Sequence, residues 1–73
     1  MSFNYAEPAA SVALEKNGLG HLTRAVYRQR DTYYLFDHAT NTAHELTGIP
    51  PAQLGGSEAV RWAETAILSE VTH

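Results

Sequence analysis

The chain has no cysteine, one methionine, one tryptophan and only five lysine or arginine residues among 73. Without cysteine there is no disulfide framework and no thiolate metal site, which fits a reducing compartment and makes the cytoplasm the expected location. Eight acids outnumber the five bases, for a formal charge of −3. A chain of this balance lacks the broad basic surface that nucleic-acid binding as a principal role requires. Long apolar runs are missing as well. None nears the roughly 20 residues that span a bilayer, and Met1 to Glu7 carries neither the basic nor the apolar part of a signal peptide. The expectation is a soluble, unexported protein without membrane contact. Length sets a further bound, because a domain this small buries only about 60% of the surface its unfolded chain exposes, and a substantial catalytic cleft is not expected.

What is present is an ordinary globular composition, 44% apolar and 18% charged. No repeat, low-complexity tract or linker divides the chain, so residues 1–73 read as one domain with an irregular aromatic tail over residues 1–7. Pro8 suits the first position of a helix, Ala9 to Lys16 are mostly helix formers, and Asn17-Gly18 supplies a left-handed stop, which together predict a short first helix. Leu19 would then fold back on Leu14 as a Schellman contact. β-Branched and aromatic residues dominate from Leu22 to Leu46. They predict a strand from about His21 to Gln29, a turn at Arg30-Asp31, a second strand from Thr32 to Asp37, a turn through Asn41, and a third strand from Thr42 to Leu46. Thr47-Gly48-Ile49-Pro50-Pro51 stops the last of these, since proline has no amide donor.

Ser57, after Gly55-Gly56, reads as the N-cap of a second helix reaching about Val71. At 100° per residue Ala59, Val60, Ala63, Ala66, Ile67 and Val71 share one apolar arc, while Arg61, Glu64 and Thr65 lie opposite. Leu68 falls in the polar arc and is a candidate exposed contact. The predicted fold class is α+β: a short N-terminal helix, a three-stranded antiparallel meander, and a C-terminal amphipathic helix packed on the sheet. Tyr33 and Leu35 should face one side of that sheet and Tyr34 and Phe36 the other, with one aromatic pair buried and the other partly exposed for a protein partner.

Residues with chemical capability do not form a recognisable set. His21, His38, His44 and His73 fit no zinc spacing, and no metal or cofactor is expected. Ser2, Ser11, Ser57 and Ser69 lie in a tail or on predicted helices, with no strand-to-helix elbow to expose a nucleophile. Neither Gly18-x-Gly20 nor Gly55-Gly56 follows a strand and opens a helix with phosphate-binding spacing. The reading is of a protein that is not an enzyme.

Charge is unevenly distributed. Residues 1–30 hold Lys16, Arg24, Arg28 and Arg30 against Glu7 and Glu15, whereas from residue 31 onward Arg61 stands alone against six acids. This predicts a basic edge on an acidic body. Arg24 and Arg28, four apart on a strand, share a face, with Arg30 at the adjoining turn and Tyr27 beside them. Phe3 and Tyr5 add two aromatics to the tail, placed either to dock on a partner or to close one end of a small core. Phe3, Tyr5, Arg24, Tyr27, Arg28 and Arg30 are thus the candidate partner-binding residues.

In its size, lack of cysteine, acidic balance and freedom from enzymatic motifs, the chain resembles the small proteins with which bacteriophages disable host machinery. Two groups are similar in type: transcription regulators that bind bacterial RNA polymerase, and anti-CRISPR proteins. The first resemblance implies a tail or basic edge seated on a polymerase subunit, and it is favoured because aromatics and arginines suit a protein surface. The second implies occlusion of a guide-RNA effector complex. A third expectation is a small self-associating structural module, motivated by the open edge that a small sheet leaves. The chain is expected to be a monomer or weak homodimer.

Overall fold

The computed structural model describes residues 9–71. Its element order is β1 (Ala10–Lys16), β2 (Leu22–Gln29), β3 (Thr32–Asp37), β4 (Thr42–Leu46), α1 (Gly56–Thr65) and β5 (Ile67–Val71). All five strands form one antiparallel sheet in the order β1-β2-β3-β4-β5, with α1 inserted between the last two. The α+β class is as predicted, but the sheet has five strands rather than three.

Each added strand replaces a helical segment of the sequence reading. The predicted first helix is β1. Its alanines, Leu14, Glu15 and Lys16 are good helix formers, but so short a helix is marginal in isolation, whereas pairing with the β-prone β2 satisfies its backbone along a ladder from Ala10↔Arg28 to Lys16↔Leu22. Asn17 and the glycines that read as a helix stop serve as a hairpin turn instead. The Asn17 side-chain oxygen accepts from the amides of Leu19 and His21 at 2.9 and 3.0 Å, and Gly20 takes φ +82°. Leu19 makes no Schellman contact and is 82% exposed.

The second correction is at the C-terminal end, where α1 stops at Thr65 and does not reach Val71. Thr65 turns its hydroxyl back onto the Trp62 carbonyl at 2.7 Å, and Ala66 leaves helical geometry at φ −111°, ψ 13°. The β-branched Ile67 and Val71 then pair with β4, where a strand ladder suits them better than a helix. Ile67, read as core, is 42% exposed, and Leu68 is exposed as expected but on a strand. Ala59, Val60 and Ala63 form the buried stripe of α1. The cap residue is Gly55 rather than Ser57, with no side-chain cap bond. Gly56 can open the helix because it has no Cβ, which would strike the carbonyl of Leu14 on β1.

The two core clusters divide by sheet face. Val26, Leu35 and Leu46 meet Val60 and Ala63 of α1, with Ala13, Tyr33 and Trp62 packed around them. On the other face Tyr34, Phe36 and Ala43 cluster with Ala9 and Tyr27. Tyr33/Leu35 and Tyr34/Phe36 therefore do take opposite faces. The expectation of a partly open aromatic pair on the face opposite α1 fails, because Tyr34 and Phe36 are 1% and 5% exposed.

Leu35→Ala, which empties the middle of the helix-facing cluster, should cost about 2–5 kcal/mol in urea unfolding, and Ile67→Ala less than about 1 kcal/mol. Equal losses would return Ile67 to the core. Gly56→Ala should lower stability by about 1–3 kcal/mol, since its Cβ meets backbone, while Gly18→Ala, with nothing within 4 Å of the new methyl, should change it by less than about 0.5 kcal/mol.

Candidate functional site

The predicted arginine patch is divided by the fold. Arg24 projects from β2 toward α1 and sits between two carboxylates. Its Nε donates to Glu15 Oε1 at 2.9 Å, its Nη2 to Glu15 Oε2 at 3.5 Å, and its Nη1 lies 3.1 Å from Glu64 Oε2. Thr23 adds a hydrogen bond from its hydroxyl to the Glu15 carbonyl at 3.0 Å. The Glu15 hydrogen bond raises the Arg24 pKa, partial burial opposes it, and Glu64 raises it further, so the guanidinium stays charged at any working pH. Arg24 thus ties β1, β2 and α1 together.

Arg28 is four residues further along the same face of β2, at the opposite end of the strand from the Arg24 cluster. It is exposed, and its Nε donates to the carbonyl of Arg30 at 3.0 Å. Arg30 occupies the β2–β3 turn with φ +58°, a left-handed geometry uncommon for a residue with a side chain. That hydrogen bond orients the Arg28 guanidinium, and among the described residues Ala9, Ala10, Arg28 and Arg30 line an open cleft of about 460 Å³. No acidic side chain lines it among the described residues.

Tyr27 is not part of this patch. Adjacent strand residues point to opposite faces, and Tyr27 joins the side opposite α1, edge-on to Phe36 and to His38 at ring-centroid distances of 6.4 Å each. Its hydroxyl lies 3.4 Å from His38 Nε2, and Phe36 stacks edge-on with the same ring at 4.6 Å. Phe3 and Tyr5 lie outside the described residues. The structure therefore brings Arg28 and Arg30 together and sets Arg24 and Tyr27 apart from them.

Ala9 and Ala10 are the members of the site that sequence reasoning passed over. The signal was available: reading Asn17 to Gly20 as a hairpin turn pairs the start of the preceding segment with the end of β2, and so with Arg28. Among the described residues no three His, Cys, Asp or Glu side chains gather as a set of metal ligands. No helix of the described residues is long and apolar enough to cross a membrane. No family model, curated protein or solved structure matches the chain.

Within the Arg24 cluster, Glu15 approaches through two oxygens and its side chain is 20% exposed, against one contact and 47% for Glu64. Double-mutant cycles with Arg24→Met should yield a coupling of up to about 1 kcal/mol with Glu15→Gln and a smaller one, down to about 0.2 kcal/mol, with Glu64→Gln. Reversed couplings would show that the helix, and not β1, holds Arg24.

Proposed function

We propose that this chain is a non-enzymatic protein-binding regulator whose anchor is the cleft of Arg28 and Arg30, and that its partner is a bacterial RNA polymerase. The observation that supports the cleft is the guanidinium of Arg28. It is solvent-exposed, its Nε is held by the Arg30 carbonyl, and no carboxylate shares its concavity among the described residues. An oriented planar fork in such a setting recognises a carboxylate through two parallel hydrogen bonds. Arg24 already has two carboxylate partners of its own.

The net charge of −3 and a pI near 5.7 favour a protein surface over nucleic acid, since two arginines on an acidic molecule neutralise few phosphates. Polymerase is the partner implied by the resemblance to small phage regulators, and a guide-RNA effector complex is the alternative that the same resemblance implies.

The test is capture from bacterial lysate on the immobilised chain, read by mass spectrometry beside an Arg28→Glu, Arg30→Glu variant shown to be folded by circular dichroism. Polymerase subunits should be retained by the parent chain and fall by about tenfold or more on the variant, as for truncated interface anchors. Effector subunits would select the alternative, and a partner held equally by both proteins would remove the cleft from the account. An empty capture, with a dimer in sedimentation, would make the chain a self-associating module.

A further inference from the structure

We infer that β5 is a self-association edge, at which a second copy of this chain pairs antiparallel across a two-fold axis and joins the two sheets into one. This edge lies across the sheet from the arginine cleft and uses none of its residues. The two edges of the sheet are not equivalent. At β1 the start of α1 stands against the Leu14 carbonyl, which Gly56 allows only because it has no Cβ, so that edge is closed. At β5 the only strand paired among the described residues is β4, and α1 packs chiefly over β1, β2 and β3. An edge strand of this kind is a template for one more strand.

Exposed aliphatic side chains collect at the start of this edge. Ile67 pairs with Leu46, the Thr47 amide donates to the Ala66 carbonyl at 2.8 Å, and Gly48 at φ +83° turns the chain so that Ile49 follows at the same end of the sheet. Ile49, Ile67 and Leu68 are 74%, 42% and 62% exposed, half of the exposed large apolar residues among those described. Apolar surface is thus concentrated where the sheet is unpaired. Neither proline nor lysine, residues that commonly guard an edge, occurs in β5.

The occupant that fits is the same strand. A two-fold axis beside β5 runs the second copy antiparallel, and pairing about Ser69 sets Ile67 opposite Val71 at both ends of the ladder. Glu70, the one charged residue of β5, then falls opposite Leu68 and not opposite its own copy, where like charges would repel. Because β1 is closed, the second copy offers no further edge, and growth stops at two chains instead of continuing as a fibre. The register shift beside Leu46 leaves an extra residue at the start of β5, and this bulge, in a strand of five residues, keeps the ladder short. The contact is therefore small, weak and reversible. Each copy carries a charge of −3, so screening by salt favours pairing.

The test is sedimentation equilibrium of the full chain from about 1 µM to 1 mM, a range that covers weak protein association. The mean mass should rise from 8.0 kDa toward twice that value and no further, and the rise should begin at lower concentration when salt is raised from about 50 mM to 500 mM. Dilution of ¹⁵N-labelled protein should shift the amide signals of residues 66–71 and of Ile49 and leave those of β1 in place. Leu68→Lys should lower the association constant about tenfold or more, with an unchanged melting temperature in dilute solution. Leu19→Lys, the same change of charge on a still more exposed leucine at the β1–β2 turn, should leave the constant unaltered. A mass fixed at one chain throughout, equal losses in the two variants, or a mass that climbs past two chains would overturn the inference. Failure to capture a lysate partner through the arginines leaves this association standing, and a chain that stays monomeric leaves the cleft standing.

Discussion

The pairing of β1 with β2 is the constraint on which the rest of the molecule depends. It sets Ala13 beside Val26 under the helix, brings the Leu14 backbone against Gly56, aligns Glu15 with Arg24 and places Ala10 opposite Arg28. Each contact belongs to a different part of the fold: the core, the seat of the helix, the ionic tie and the cleft. A shift of one residue in this ladder would move every β1 side chain to the other face and lose all four together. The register is held at the hairpin end, by the Asn17 turn and by the Glu15–Arg24 pair beside it.

Two cores share one sheet. In an antiparallel sheet covered by a helix on one side, the other side is commonly polar. Here Tyr34, Phe36 and Ala43 are buried on the face opposite α1, and Ala25, flanked by Leu14 and Phe36, is fully buried as well. Burial on both sides of the central strands is how a chain of 73 residues gains enough apolar contact to offset its conformational entropy. It also leaves few apolar residues over. The exposed ones gather on β1, on β5 and in the connecting loops.

The arginines show how one residue type takes separate roles by position along a strand. Arg24 lies where α1 crosses β2 and is surrounded by carboxylates; partly exposed ion pairs of this kind contribute modestly to stability and more to geometry. Arg28 lies at the other end of β2, where its guanidinium is oriented by a backbone carbonyl and faces a cleft. The basic edge read from the charge distribution thus resolves into a structural tie at one end of β2 and an exposed arginine at the other.

The sequence by itself determined β3 and β4 to the residue and β2 to within one, because alternation and turn chemistry are local properties: Asp37 bonds the Ala39 amide, and Asn41 accepts a positive φ. It also determined the buried stripe Ala59, Val60 and Ala63, and the opposition of Tyr33/Leu35 to Tyr34/Phe36. The separation of Tyr27 from Arg28 was legible too, since neighbours on a strand point apart. Only the tertiary structure decided β1 and β5. Ala9 to Lys16 and Ile67 to Val71 satisfy a helical pattern as well as a strand pattern, and the choice was made by ladders to β2 and β4, contacts distant in sequence that no local preference encodes. Because the cleft is built across the first of those ladders, its lining became visible only once β1 was a strand.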